Sequence, residues 1–359
     1  MGGTGQAAGA APMEGHGAYN RSSAVQAAGY APALPLLAEA ARQVPALAEP
    51  GPVLIADYGA SQGRNSLEPM ATAIRTLRGR IGAERPVWVV HTDLPSNDFS
   101  SLFQAVATDP ASYRQGDPAA FTLAVGRSFY EQILPAGSVT LGWSAWAVQW
   151  LSRTPCPIPD HVQVAYSRDE AARAAFAAQA ARDWRDFLTH RAAELIPGGR
   201  LLVLTMALTD TGEFGYRPVL DAMVATLHAL VAAGEVRADE AARMAIPTVG
   251  RGREQLLAPF AGGDRLTSLE VEHLGVFQGD DPIWRDFAHD HDAAAYGRRW
   301  AAFSRASVLP TLAADLAGDE ARRQTFMDRM EAGMAERLAA LPEPMLIPLA
   351  MIVVARRPA

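Results

Sequence analysis

The chain has 359 residues, 49% of them hydrophobic, and a formal net charge of -7; it can fill the core of one large domain or two closely packed ones. The acidic balance argues against nucleic-acid partners, whose phosphates need clustered positive charge. All 32 basic residues are arginine, which removes phosphate-loop nucleotidases and Schiff-base enzymes, since both need a lysine amine.

Residues 1–18, rich in Gly and Ala, have neither the basic nor the apolar segment of a signal peptide and read as a flexible tail. Val53-Leu54-Ile55-Ala56 ends in Asp57, then come Gly59, Gly63 and a helical pattern from Ser66: strand, glycine turn, helix. The pattern repeats at 87–90, ending at Asp93, and strands are predicted at 121–125 and 138–141. A helix over 170–195 leads through a turn at Pro197-Gly198-Gly199 into a fifth strand at 201–205. Strands alternating with helices imply a parallel sheet covered on both faces.

The chain then changes character. Stretches 218–233, 238–244 and 292–316 read as helices of a cap, whereas 266–277 and 346–354 read as strands completing the sheet edge. The expected division is an α/β domain over 19–205, 264–277 and 340–359, with a helical cap over 206–263 and 278–339. The lone Cys156 has no second thiol for a disulfide or a redox pair, and no apolar run approaches the roughly 18 residues of a membrane span. A soluble cytoplasmic protein is expected, and the Ala, Arg and Gly bias reads as GC-rich coding and hence a bacterial source.

In an open parallel sheet, ligands sit beyond the carboxyl ends of the strands, where the first turn brings backbone amides close. Asp57-Tyr58-Gly59-Ala60-Ser61-Gln62-Gly63 occupies that turn. Its spacing does not match the dinucleotide pattern G-x-G-x-x-G, which weakens a nicotinamide reading. Asp93 stands where a carboxylate would accept the two hydroxyl protons of a ribose, so a nucleoside ligand is indicated. Gly142-Trp143-Ser144-Ala145-Trp146 resembles half of a hydrolase nucleophile elbow but lacks its second glycine. His289-Asp290-His291-Asp292 carries metal-ligating side chains, yet alternate residues diverge on a helix and the charged neighbours suit a solvated corner; no metal is expected.

Several ordered motifs resemble the plant-type salicylic, benzoic and jasmonic acid carboxyl methyltransferases, the SABATH family. They are Tyr19 with Ser22-Ser23 and Gln26; Ile55 through Leu67; Thr92-Asp93-Leu94-Pro95-Ser96-Asn97-Asp98-Phe99; Gly126-Arg127-Ser128-Phe129-Tyr130; and Trp150-Leu151-Ser152. Fainter similarity runs through 188–204, 234–247 and 305–310, so the likeness covers nearly the whole chain. It implies a class I methyltransferase fold, a Rossmann-like mixed α/β sheet with an inserted helical cap, often dimeric, that uses S-adenosyl-L-methionine. Ser23, Asp57 and Asn65 would hold the methionine end, Asp93 and Leu94 the ribose and adenine, and Ser128 and Phe129 the adenine; Tyr19 and Gly59 belong to the same motifs. The chain departs from the usual Gly-Cys-Ser-Ser-Gly-Pro-Asn, reading Gly59-Ala60-Ser61-Gln62-Gly63-Arg64-Asn65, but keeps the turn glycines.

By the same resemblance Gln26 and Trp150 grip the acceptor carboxylate through an amide N–H and an indole N–H. Trp146, Gln149, Val219, Leu220 and Ser304 would line the acceptor pocket. Trp146 replaces a frequent tyrosine, Leu220 a bulky tryptophan of the salicylate-type enzymes, and Ser304 a methionine, so a roomier pocket is implied. The expected reaction is O-methylation of a small apolar carboxylic acid, whether aromatic, indolic or terpenoid, to its methyl ester. N-methylation of a small heterocycle on the same scaffold and hydrolysis are the alternatives.

Overall fold

The computed structural model describes residues 13–14, 24–45, 51–262 and 266–358. Seven strands form one sheet in the order β3-β2-β1-β4-β5-β7-β6. The first five are β1 (Val53–Tyr58), β2 (Val87–Asp93), β3 (Ala120–Gly126), β4 (Val139–Ala145) and β5 (Leu195–Met206), and they pair in parallel. Strands β6 (Leu269–Gln278) and β7 (Pro348–Arg356) close the edge, with β7 antiparallel to both β5 and β6. All six residues of β1 are buried, as expected of a parallel strand covered on both faces. Strand order reverses between β1 and β4, which opens a ligand crevice at their carboxyl ends.

The helices follow from periodicity and caps. Helix Leu67–Ile81 buries Leu67, Met70, Ile74 and Leu77, one stripe of a 3.6-residue repeat, and stops at Gly82 with φ of 77°. Helix Phe99–Thr108 starts on Asp98, whose Oδ1 accepts from the Ser101 amide at 3.0 Å. Helix Glu170–Glu194 starts on Asp169, which accepts from the Ala172 amide at 2.7 Å.

Between β5 and β7 the chain builds a second helical core. Val219, Met223 and Leu227 of helix Arg217–Ala232 pack with Trp300 of helix Ala293–Ser307 and with Met330 and Met334 of helix Glu320–Ala340. The continuous helix expected over 292–316 is instead two, Ala293–Ser307 and Leu309–Ala313. Pro310 has no amide to continue the preceding helix and is tolerated in a first turn, so the helix breaks at Val308, with φ of -118°, and restarts with the proline in its first turn.

Pro197-Gly198-Gly199 is likewise not a turn ahead of β5 but a bulge inside it. Val139 pairs with Leu195 and Leu141 with Arg200, so the extra residues bow out of the ladder, with Gly198 at φ of 75°. The His289–Asp292 corner is capping machinery: His291 ends helix Pro282–Asp290 with φ of 56°, and Asp292 caps the next helix by accepting from the Ala295 amide at 2.8 Å. Among the described residues no three His, Cys, Asp or Glu side chains converge on a metal position, and no helix is long and apolar enough to cross a membrane.

Candidate active site

The turn after β1 meets the segment after β4 at the sheet's switch point. Gly59 has φ of 88°, and a Cβ there would stand 2.3 Å from Ala147 Cβ, so both conformation and space demand glycine. The Gly59 and Ala60 amides donate to the Thr92 carbonyl at 2.9 and 3.0 Å, tying the turn to the end of β2.

Asp93, half-buried at the end of β2, accepts from the Ser61 amide through Oδ2 at 2.7 Å and from the Leu94 amide through Oδ1 at 2.8 Å. Each oxygen retains a lone pair for a hydroxyl donor. Burial pushes this carboxyl up to about 6; the two amides pull the other way. Asn97 completes the clasp by donating to the Ser61 carbonyl at 2.8 Å.

Asp57 is buried at the end of β1, and its Oδ2 lies 2.7 Å from His91 Nδ1. The other His91 ring nitrogen is 3.0 Å from the Tyr113 hydroxyl, which is 2.7 Å from Thr122 Oγ1. This cross-sheet chain fixes the orientation of Asp57. Ser61 Oγ and Asn65 Nδ2, both buried, have no hydrogen-bond partner among the described residues. Because a buried polar group without a partner is costly, these atoms mark where a polar ligand is expected. An unpartnered amide and hydroxyl, a fixed buried carboxylate for an ammonium and a carboxylate for a ribose together suit S-adenosylmethionine.

The segment after β3 supplies a third wall. Phe129 Cε1 lies 3.7 Å from where a Gly59 Cβ would be, and the Ser128 hydroxyl accepts from the Tyr130 amide at 3.3 Å. Beneath this segment is an ion pair that is fully buried on both sides, Arg191–Glu194 at 2.7 Å. Arg191 donates to the Phe129 and Glu131 carbonyls at 2.7 and 2.8 Å. Glu194 accepts from the Tyr58 hydroxyl at 2.7 Å and from the Ile133 and Leu134 amides at 2.6 and 3.0 Å.

Next to this crevice is a cavity whose described lining residues carry no charge. The structure brings Gln26, Trp146, Gln149, Trp150, Val219, Leu220 and Ser304 to its wall, all seven of the expected acceptor-side residues. Trp146 adopts φ of 57°, a strained choice for a bulky residue. It is held there by its amide on the Leu204 carbonyl and its indole N–H on the Gln26 carbonyl, each at 3.0 Å. Trp146 therefore fixes the helix Ala24–Tyr30 that carries Gln26.

The buried Gln26 Oε1 has no partner among the described residues, and a half-turn of the amide would put an N–H in its place. The Trp150 carbonyl accepts from the Tyr130 hydroxyl at 2.5 Å, and the Val148 carbonyl from buried Arg251 at 2.6 Å. These two bonds steady the backbone on either side of Gln149.

Sequence reasoning quoted Tyr130 within a motif but gave it no role, and it missed Arg191, Glu194, Arg251 and Tyr216; the roles of all five depend on tertiary contacts. It also missed Met13 and Glu14, inside the stretch read as a tail. Met13 lines the cavity, and Glu14 accepts from Gln62 Nε2 at 2.6 Å through its carbonyl and from Arg305 Nε at 3.1 Å through its carboxylate. Tyr19 and Ser23 lie outside the described residues. The hydrolase alternative fails on Ser144, which is fully buried inside β4 and donates to the Tyr58 carbonyl at 2.9 Å, a strand residue and not an exposed elbow.

The family model for S-adenosylmethionine-dependent carboxyl methyltransferases matches residues 10–354. The chain is 33% identical to the O-methyltransferase acrG of Aspergillus aculeatus over 281 residues, 73% of this chain and 71% of that protein. It is 27% identical to the indole-3-acetate O-methyltransferase 1 of Arabidopsis thaliana over 345 residues, 87% of this chain and 86% of that one. Other fungal relatives are matched over 64% of their length. A solved loganic acid methyltransferase with SAH superposes with a TM-score of 0.78 at 21% identity, covering 96% of this chain and 99% of that one. These relatives are fungal and plant proteins, so they lend no support to the bacterial source read from composition.

Proposed function

The chain belongs to the S-adenosylmethionine-dependent carboxyl methyltransferase family, and from that premise we propose that it esterifies the carboxylate of a small, largely apolar acid. One observation carries the reading: Gln26 and Trp150, two neutral side chains able to donate N–H bonds, line one cavity whose described lining residues carry no charge, together with Trp146, whose neighbour Ala147 abuts Gly59 in the turn after β1.

Bound S-adenosylmethionine supplies a methyl group on a sulfonium centre. Asp57, Ser61 and Asn65 would hold its methionine end, Asp93 and Leu94 its ribose and adenine, and Ser128 with Phe129 its adenine. A carboxylic acid with a pKa near 4 is already ionised at neutral pH, so the chain has to supply orientation and not a general base. Gln26 and Trp150 orient the anion without cancelling its charge, which an arginine would do at the expense of nucleophilicity. The apolar wall, with Leu220, Val219 and Phe303, keeps water from a site where charge is neutralised. The helices between β5 and β7 serve as the acceptor cap. Leu220 in place of a tryptophan favours acids larger than benzoate, and the relative named for indole-3-acetate supports an acceptor of that size.

The Gln26→Glu variant tests the clamp. A second carboxylate facing the acid should lower kcat/KM by about a hundredfold or more at pH 8, since like charges in a desolvated site cost several kcal/mol. Affinity for S-adenosylhomocysteine, read by calorimetry, should change little. Turnover of acids at the wild-type rate would refute the clamp.

A further inference from the structure

The polar side chains of the lining residues divide into those whose groups are already paired and those with a group left over. The Trp146 indole N–H is spent on the Gln26 carbonyl. Gln149 accepts from the Thr205 hydroxyl at 3.2 Å, and Gln163 donates to the Thr248 hydroxyl at 2.8 Å. Ser304 and Ser307 donate back to the Trp300 and Phe303 carbonyls at 3.1 and 2.6 Å. Gln26 is assigned to the carboxylate; apart from its Oε1, the buried side-chain oxygen or nitrogen of a lining residue that has no partner among the described residues is the Tyr216 hydroxyl.

Tyr216 is also held more firmly than packing alone requires. Its φ is 58°, uncommon for a bulky residue, and its amide donates to the Leu346 carbonyl at 3.0 Å. Its ring stacks on Phe303, another cavity residue, at 6.1 Å and 4°, and meets Trp300 edge-on at 6.1 Å and 82°. Burial pushes the phenol far above its ordinary value, so it remains a neutral O–H at any working pH. Phenylalanine would fill the same space without stranding a buried hydroxyl, which costs stability. The Trp300 indole N–H, fully buried, is a second donor without a partner among the described residues, on the ring that meets Tyr216.

We propose that the acceptor carries, besides its carboxylate, a second hydrogen-bonding oxygen (hydroxyl, ether or carbonyl) that pairs with the Tyr216 hydroxyl, so that the enzyme selects oxygenated acids over their hydrocarbon parents. This rests on the carboxyl methyltransferase reading.

The test is methyl transfer from labelled S-adenosylmethionine to matched acids: cinnamic and 4-methoxycinnamic, 2-naphthoic and 6-hydroxy-2-naphthoic, indole-3-acetic and 5-methoxyindole-3-acetic. In at least one pair the oxygenated member should have a kcat/KM about tenfold or more above its parent, because a site built to pair an oxygen rejects the analogue lacking it. Tyr216→Phe should bring that ratio to about one. Without acceptor, the melting temperature of Tyr216→Phe should equal or exceed that of wild type. A lower melting temperature would place the hydroxyl in an internal network and overturn the proposal. So would a panel with no oxygen preference, or a preference that survives Tyr216→Phe; equal loss for both members of a pair would make Tyr216 a third carboxylate donor instead. These outcomes leave the methyltransferase reading standing, whereas no transfer to any acid would remove both.

Discussion

Asp93 offers a test of the cofactor site in which pH itself is the perturbation. Its carboxyl is raised to about 6, chiefly by burial, while each oxygen already accepts one backbone amide. Ribose hydroxyls would donate to the charged form, so binding must lower this pKa. Affinity for S-adenosylhomocysteine should therefore be full above about pH 6 and fall below it, by at most about tenfold per pH unit for one proton. In the free protein the sign is opposite. The group is raised to about 6, so its ionisation opposes folding above roughly pH 4, and stability from this group increases as pH drops from 6 toward 4. Two charge-assisted bonds are at stake, each worth about 1.5 to 3 kcal/mol. Asp93→Asn removes the charge and also sets an NH2 against one of the two backbone amides, so at pH 7.5 the Kd should rise by at least about tenfold. The calorimetric profile of that variant should be flat between pH 5 and 7.5. A wild-type profile already flat across that range, or a slope that persists in Asp93→Asn, would refute the ribose assignment.

Trp150→Phe keeps most of the ring and removes the N–H; kcat/KM for acids should fall about ten- to a hundredfold, with cofactor affinity nearly unchanged by calorimetry. Leu220→Trp should fill the cavity and move the kcat/KM ranking toward single-ring acids, as a comparison of benzoate with indole-3-acetate would show, because each buried methylene of a larger acid contributes about 0.8 kcal/mol. Glu194→Gln strands the fully buried Arg191 guanidinium and weakens four bonds under the Ser128–Phe129 segment. Urea denaturation should show a loss of about 3 to 5 kcal/mol, and cofactor affinity should drop with it.

What could be read from the residues, and what could not, follows from where each signal resides. Strand β1 announces itself because six consecutive residues must be buried on both faces, and the glycine turn after it because Gly59 and Gly63 both take positive φ. Gln26 and Trp150 stood in ordered motifs, and the structure gathers Gln26, Trp146, Trp150 and Leu220 on one cavity although 194 positions separate the first from the last. Helix Glu320–Ala340 escaped notice because its buried face is methionine and phenylalanine among many charges, a faint stripe. Pro197-Gly198-Gly199 misled because a bulge and a turn require the same residues. Arg191, Arg251 and Tyr216 look like surface or core residues in the sequence. Their meaning lies in partners 60 or more positions away, as for the Arg191–Glu131 bond, or in having none among the described residues, as for the Tyr216 hydroxyl.

The central claim is that the methylated atom is a carboxylate oxygen. The direct measurement is incubation of the purified protein with methyl-labelled S-adenosylmethionine and a panel of acids and heterocyclic amines, followed by mild base. The account predicts a labelled product from acids that base releases as methanol, and no transfer to the amines. Label that stays with the product through base, carried on nitrogen, would contradict it.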